Sequence, residues 1–173
     1  MPPRRLAAAL LLALATAHAH AATVSAPKAD AKAEPKADPA VAARLDEIGY
    51  TYEVDEDGDY RLVIAMDDDK RSQLVYVRST VESYGAHRVR EIWSPAWRAA
   101  GDAFPGPIAN RLLEASNDLK LGAWVKHGSH AVLVVKLDAD ASAEGLENAL
   151  AAALTSADEM QKELDGDAAS DEF

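Results

Sequence analysis

Two histidines three residues apart are the nearest approach to a metal-binding motif in this sequence. His127 and His130 enclose Gly128-Ser129, so both imidazoles could reach one ion, and His87 could join them in space. A zinc site needs three or four protein ligands, and no acidic residue lies immediately beside the pair. The spacing therefore favours a solvated hairpin turn. A divergent metal-dependent hydrolase that uses His127 and His130 is the alternative function.

An acidic run, Asp55-Glu56-Asp57-Gly58-Asp59, has the composition of a calcium-binding loop. An EF-hand needs glycine at its sixth position and a bidentate glutamate at its twelfth. Counting from Asp55, these positions hold Tyr60 and Met66, so the match fails at both. Asp-Gly is a typical hairpin turn pair, and alternating apolar residues flank the run. We therefore predict a polar turn at this position.

Patterns with a known catalytic mechanism give no support for an enzyme. The chain has no G-x-S-x-G, H-E-x-x-H or G-x-G-x-x-G, and its 29 acidic residues single out no acid/base pair. The absence of cysteine excludes thiolate nucleophiles, disulfides, Cys-ligated zinc and iron–sulfur clusters. We expect a non-enzymatic protein with no catalytic, cofactor-binding or metal residues.

Three tryptophans are the candidate interaction residues. Trp93 and Trp97 bracket Ser94-Pro95-Ala96 at the end of a predicted strand, and Trp124 lies in a later strand. Tryptophan on an irregular connection often supplies binding contacts. Tryptophan is also mostly buried in folded proteins, so the same residues could close the edge of the sheet under the connection. The sequence leaves both interpretations open.

The net charge of the chain bears on which class of partner it binds. The chain has 173 residues, with 18 Lys+Arg against 29 Asp+Glu and a formal charge of -11. Nucleic acid binding needs clustered Lys and Arg, and no such cluster occurs, so we expect no nucleic acid partner. A protein or peptide partner fits the composition better, and the sequence leaves open whether the chain forms a homodimer. Much of the acidic excess serves solubility.

The first 21 residues have the order of a secretory signal peptide. Arg4 and Arg5 precede an apolar run at residues 6–17, and two Ala-x-Ala sites end at Ala19 and Ala21. The run is shorter than the about 20 residues that a membrane helix needs, so we expect no stable membrane insertion. Export to a bacterial periplasm or exterior follows, with cleavage near Ala19 or Ala21. An exported domain without cysteine must rely on packing.

Composition divides the rest of the chain into three parts. Residues 22–40, ATVSAPKADAKAEPKADPA, have hardly any bulky apolar side chains and predict a disordered linker. Residues 41–164 are long enough for one domain. Residues 165–173, DGDAASDEF, predict an acidic disordered tail.

Hydrophobic periodicity within residues 41–164 predicts an α+β fold. We expect an antiparallel sheet of five to six strands with helices packed mainly on one face, in the order α-β-β-β-(β)-α-β-β-α. The predicted strands after the Asp57-Gly58 turn lie at residues 60–66, 74–77, 88–93, 121–126 and 131–137. The uninterrupted apolar run at residues 131–135 predicts a strand covered on both faces, hence a central one.

Capping residues place the helices. Asp38-Pro39 and Gly49 bound the first helix, Pro107 begins the second, and Ser142 caps the third. The third helix is predicted to carry one apolar stripe, formed by Leu146, Leu150, Leu154, Ala157, Met160 and Leu164. Asn117 is the expected left-handed end of the second helix. Residues 94–106 contain two prolines and two glycines, and we expect them to form a connection without a long regular element.

A set of positions spread over residues 41–164 matches a known family pattern. These positions are Leu45-x-x-x-Gly49-x-x-Tyr52, Asp57-Gly58-Asp59, the apolar residues 74–77, Ile108-Ala109-Asn110-Arg111-Leu112, the valine-rich residues 131–135 and Glu144-Gly145-Leu146 with Ala157-Asp158. They resemble the YbjN-domain family, which is described as bacterial sensory transduction regulators. The family is similar in fold to type III secretion chaperones, which bind extended segments of client proteins along a helix-and-sheet surface.

The resemblance implies an exported protein- or peptide-binding domain with a regulatory or chaperone-like role. No catalytic residue can be carried over, because the family has no established ones. Two features depart from the pattern. A cytoplasmic secretion chaperone would lack the export signal, and residues 80–97 form an extra segment before the second helix.

Overall fold

A computed structural model of the chain describes residues 36–66 and 71–165. The predicted signal peptide, most of the predicted linker and the predicted tail beyond Asp165 lie outside the described residues, as do residues 67–70. The described residues form an α+β domain in which an antiparallel sheet carries helices mainly on one face. The predicted fold class is confirmed.

The described residues contain three helices and six strands. In chain order they are α1 (Pro39–Ile48), β1 (Glu53–Val54), β2 (Tyr60–Met66), β3 (Arg71–Tyr84), β4 (His87–Arg98), α2 (Gly106–Asp118), β5 (Ala123–His127), β6 (His130–Asp138) and α3 (Ala143–Asp165). The strand order in the sheet is β1-β2-β3-β4-β6-β5, with every neighbouring pair antiparallel.

Three helix ends follow the predicted capping residues, and one departs from them. The Asp38 carboxylate accepts the amide proton of Ala40 at 2.9 Å, and Gly49 ends α1 with φ of 81°, both as predicted. The Ser142 hydroxyl caps α3. The expected left-handed end of α2 at Asn117 is wrong, because α2 continues to Asp118 and then Leu119 is extended, which brings Leu119 onto the core.

Strand β4 is longer than its sequence indicates. The expected connection at residues 94–106 is wrong in its first part, since β4 continues through Arg98. A β-bulge between Pro95 and Trp97 accommodates the proline, which has no amide proton for the ladder. Strand β3 is also extended, from Arg71 to Tyr84, so the extra segment at residues 80–97 is most of a long β3–β4 hairpin.

The valine-rich strand β6 is buried at every residue from 131 to 135, as the uninterrupted apolar run predicts. It is an interior strand of the sheet, paired on both sides. β6 lies between β4 and β5, one strand from the edge of the sheet. The short hairpin to β5 fills the outermost position, because His127 and His130 are already paired across a two-residue turn.

Helix α3 joins two apolar clusters under the sheet. Leu146, Leu150 and Leu154 pack in the first cluster, with residues of α1 and strands β2 to β4. Ala157 and Met160 pack in the second cluster, which also contains Ala96, Leu112, Trp124, Ala131 and Leu133. The single apolar stripe predicted for α3 thus spans both halves of the core.

A buried arginine ties the first cluster to the N-terminal helix. Arg90, on β4, is 3% exposed. Its Nη1 donates to the carbonyl oxygens of Arg78 and Ser79 at 2.6 and 3.1 Å, and its Nη2 pairs with the Asp38 carboxylate. The register of β3 shifts between Val77 and Val81, and Arg90 binds carbonyls within that irregular stretch.

The chain just before α1 is held by the same network. The Asp38 amide donates to the Ser79 hydroxyl at 3.0 Å, and that hydroxyl donates to the Gly58 carbonyl at 2.6 Å. Gly58 has φ of 78°, and a Cβ there would lie 2.9 Å from the backbone of Lys36 and Ala37. Lys36 to Ala37 therefore pack on the hairpin, so the last part of the predicted linker belongs to the folded domain.

Two carboxylates in this network have shifted pKa values of opposite sign. Burial acts to raise the pKa of Asp38, but hydrogen bonds from the Ala40 amide and Arg90 outweigh it and hold the pKa below its usual value. Burial raises the pKa of Asp59, even though the Ser79 amide and Arg78 act to lower it. Asp38 therefore favours the folded state when it is ionised, and ionised Asp59 does not.

Replacing the buried arginine tests the network. We expect Arg90→Met to lower the free energy of unfolding by about 3–5 kcal/mol, because it removes the cation that pairs with Asp38 and the donor to two carbonyl groups. Arg88→Met is the matched control on the same strand, since Arg88 makes an exposed ion pair with Asp140 and such pairs contribute about 0–1 kcal/mol. Urea unfolding measures both. Equal losses in the two variants would contradict a structural role for Arg90.

The lowered pKa of Asp38 predicts a pH dependence. Its ionised form stabilises the fold above the unfolded-state pKa, and this contribution is lost as the pH falls through the lower folded-state pKa. We expect Asp38→Asn to cost about 1–2 kcal/mol at pH 7 and progressively less below about pH 4. Urea unfolding between pH 3 and 7 measures the difference, with Asp140→Asn as control. A cost that does not change with pH would contradict the assignment.

Candidate functional site

An apolar pocket of about 450 Å³ opens between α2, the outer strand β5 and the connection after β4. Its volume lies within the range of about 300–1,000 Å³ that is usual for ligand pockets. Two of the lining residues are charged and the others are apolar. The lining consists of Asp102, Ala103 and Phe104 from the connection, Ala109, Leu112 and Leu113 from α2, and Trp124, Val125 and Lys126 from β5.

Helix α2 supplies the pocket with apolar residues that the core does not use. Ile108, Leu112 and Ala115 face the second cluster. Ala109 and Leu113 follow two of these positions directly, so the helix turns them toward the pocket. Leu113 is 68% exposed, which is unusual for a leucine beside a formed core. The pocket therefore has an apolar wall that is open to solvent.

Aromatic packing holds Phe104 in the wall of the pocket. Trp97, at the end of β4, meets Phe104 edge-on with ring centroids 5.4 Å apart and an interplanar angle of 84°. Trp124 is 8% exposed and belongs to the second cluster. Edge-on pairs contribute about 0.5–1.5 kcal/mol beyond their buried area. The packing fixes Phe104 in the wall although it lies in an irregular connection.

A serine on α2 locks the helix to the outer strand. The Ser116 hydroxyl accepts the amide proton of Trp124 at 2.9 Å and donates to the Leu112 carbonyl at 2.9 Å. Trp124 lies opposite Leu133 on β6, but its amide donates to Ser116 and so points away from β6, toward the outer edge of the sheet. Ser116 therefore occupies a position at which another strand could otherwise pair.

One cation lies at the rim of the described pocket. The Lys126 ammonium donates to the Gly128 carbonyl at 2.6 Å and lies 5.5 Å from the centre of the Phe104 ring. Asp102, on the connection after β4, is the other charged residue of the lining. An ammonium beside an apolar cavity favours a guest whose apolar part is followed by a carboxylate.

The structure brings two of the three candidate tryptophans together. Trp124 lines the pocket, and Trp97 contacts Phe104, which is another residue of the lining. Trp93 follows the buried Ile92 on β4 and therefore lies on the opposite face of the sheet. There its ring is 4.5 Å from the Arg78 guanidinium, its Nε1 donates to Glu91 at 2.8 Å, and it meets the ring of His127. The three do not form one surface.

The histidines do not gather into a site. His127 and His130 face each other across the β5–β6 turn, and His130 is paired with Arg98 on β4. His87 is at the other end of β4, roughly 35 Å away along an extended strand. The expectation that His87 could join the pair is therefore wrong. Within residues 36–66 and 71–165, no group of three or more His, Cys, Asp or Glu side chains could hold a metal ion.

The acidic run at residues 55–59 forms a hairpin loop, as its Asp-Gly pair predicts. The Asp55 carboxylate accepts the amide protons of Asp57 and Asp59 at 2.9 Å each, and β1 pairs with β2 on either side of the loop. The Asp59 carboxylate accepts the Ser79 amide at 2.7 Å and lies 2.5 Å from Arg78. Two of the acids are thus committed to holding the turn and the β3 strand.

Sequence reasoning found Trp124 and missed the rest of the pocket. Phe104, Leu113 and Lys126 were not among the candidates. One signal was available, because Leu112-Leu113 places two large apolar residues next to each other on a helix whose core stripe has room for one. Phe104 gives no local signal, since its position depends on Trp97.

Comparisons with known proteins found no relative. No protein-family model matches the chain, and neither a curated protein nor a solved structure does. The described helices include none that is both long enough and apolar enough to cross a membrane.

The Ser116 lock is testable. We expect Ser116→Ala to lower the free energy of unfolding by about 1 kcal/mol, because the Trp124 amide loses its acceptor. Ser83→Ala, at the exposed end of the β3–β4 hairpin, should change stability by less than about 0.5 kcal/mol. Urea unfolding monitored by tryptophan fluorescence measures both. Indistinguishable effects would show that the bond does not hold α2 to β5.

Proposed function

We propose that this chain is an exported, non-enzymatic domain of the YbjN type that binds a segment of another protein or peptide. The observation that carries the proposal is the open apolar pocket between α2 and β5, with a leucine 68% exposed in its wall. Exposing such a residue wastes the free energy that its burial would yield, about 1.5–3 kcal/mol for a leucine. A partner that covers it recovers that energy.

The shape of the apolar surface favours a protein segment over a compact small molecule. Val125, in the lining of the pocket, is 43% exposed, and Leu121, two residues before β5, is 46% exposed. Together with Leu113 they leave apolar side chains uncovered on both α2 and the chain around β5. A chain segment can insert one large side chain into the cavity and lay its neighbours along this surface.

The edge of the sheet restricts how that segment binds. Ser116 already accepts the Trp124 amide, so a full added strand on β5 would have to displace it. The groove between a helix and a strand, with one deep apolar cavity, suits a segment anchored by one or two large side chains. Affinity would come chiefly from the anchor, with main-chain pairing limited to the neighbourhood of Lys126.

The element order supports the family assignment as a proposal. A helix, a run of antiparallel strands, a second helix, a hairpin and a long closing helix is the order on which the YbjN resemblance rests. A regulator or chaperone of this kind needs a surface for a client and no catalytic group. Export, with a role in the periplasm or outside the cell, rests on residues 1–21 of the sequence.

A binding experiment with a matched charge control tests the proposal. Twelve-residue peptides are selected from a displayed random library on the full chain, and their affinity is measured by calorimetry. We expect Leu113→Asp to weaken the selected peptides by about tenfold or more, which corresponds to about 1.4 kcal/mol. Asn110→Asp adds the same charge on an exposed position of α2 and should leave the affinity unchanged.

Two results would overturn the proposal. The first is a selection that yields no saturable binder. The second is a set of binders whose affinity is the same for the Leu113→Asp variant as for the unmodified chain. Because Leu113 is exposed, its replacement should not impair folding, and an unfolding curve of the variant verifies this.

A further inference from the structure

We propose that residues 166–173 of this chain dock in the pocket of the same molecule, with the Phe173 ring in the cavity and the carboxylates of Asp171 and Glu172 toward Lys126. The inference rests on the proposed function, because it names an intramolecular ligand for the same site. The pocket is then self-occluded, and a partner segment has to displace Phe173.

The end of α3 lies close to the pocket. Arg111 of α2 donates to Glu163 of α3 at 2.5 and 2.6 Å, which places the last turn of α3 beside the first half of α2. Leu164, the next residue, packs against the second cluster. That cluster contains Leu112 and Trp124, which are walls of the pocket. The chain therefore leaves the described domain one helix away from the cavity.

The length of residues 166–173 is sufficient. Eight extended residues span up to about 26 Å. The obstacle is α2, and a helix with its side chains is about 10–12 Å across. The segment can pass this helix and still place its eighth residue in the cavity.

The chemistry of residues 166–173 matches that of the pocket. The sequence GDAASDEF has one large apolar residue, Phe173, directly after two acids. The cavity offers Phe104 and Trp124 for aromatic contact, and its two charged lining residues are Asp102 and Lys126, of which Lys126 can pair with a carboxylate. The first turn of α2 carries no acidic residue, and Pro105 gives it no side-chain cap, so its amide groups also favour nearby carboxylates. An apolar anchor preceded by acids is the guest that this site accommodates.

Tethering makes even a weak contact effective. A short flexible tether gives an effective concentration on the order of 1 mM. A contact with a dissociation constant of about 0.1 mM is then formed in about 90% of molecules, and it weakens an external ligand about tenfold. The segment acts as a competitor whose strength depends chiefly on Phe173.

The composition of the chain permits a direct test in the full-length protein. The chain has two phenylalanines, Phe104 and Phe173. Biosynthetic incorporation of 4-fluorophenylalanine gives two ¹⁹F resonances, and Phe173→Leu assigns them. We expect the Phe173 resonance to lie away from that of free 4-fluorophenylalanine and to move to it in Leu113→Asp. Asn110→Asp, which adds the same charge on the same helix, should leave it in place.

Two outcomes of the ¹⁹F experiment would overturn the inference. One is a Phe173 resonance at the position of free 4-fluorophenylalanine that does not respond to Leu113→Asp. The other is a Phe173 resonance that shifts toward the free position when the protein is diluted, because an intramolecular contact does not depend on concentration. A resonance that holds its position over a hundredfold dilution, about 1 mM to 10 µM, supports docking within one molecule.

A second measurement separates the inference from the proposed function. Peptides selected on the full chain should bind Phe173→Ala about tenfold more tightly than the unmodified protein. Equal affinity for the two proteins would overturn docking of Phe173 and leave the binding function intact. If no peptide binds either protein, the proposed function fails, and the ¹⁹F resonance alone decides whether the segment docks.

Discussion

The buried guanidinium of Arg90 is the constraint on which the first half of the domain depends. An arginine removed from water must have its donors satisfied, and here they bind two carbonyl groups of the irregular stretch in β3 and the carboxylate that caps α1. The Tyr60 hydroxyl adds a bond to the Asp38 carbonyl at 2.8 Å. One side chain thereby holds the capped start of α1 and the irregular stretch of β3 against β4.

The pocket lies in the second cluster, away from this network, and α3 connects the two. Its first half packs in the cluster with α1, and its second half packs with α2 and β5. The first half of the domain is held by charge and hydrogen bonds in addition to apolar packing. The second half is held by aromatic packing and the Ser116 lock, and it leaves Leu113 uncovered. This division places the binding surface where apolar contact area is still available.

Local patterns in the sequence carried most of the fold and little of the site. The cap at Asp38, the Asp-Gly turn and the stripe of α3 are properties of a few neighbouring residues, and each appears in the structure as predicted. β4 was predicted too short because Pro95 looks like a terminator, and only a bulge in pairing with β6 makes it compatible with a strand. The end of α2 was misplaced because the burial of Leu119 overrides the preference of Asn117 for a left-handed cap.

The sequence by itself determined the fold class, the order of the elements and most helix boundaries, because these follow from periodicity and capping over short spans. Tertiary structure alone decided that Trp97 and Trp124 share one side of the sheet with Phe104, while Trp93 lies on the other side. It also decided that β6 is second from the edge, and that Leu113 has no partner in the core. These features depend on the order of the strands in the sheet and on which face of a strand or helix each residue occupies. They involve residues that are distant in the chain and become neighbours only after folding, so local sequence patterns do not reveal them.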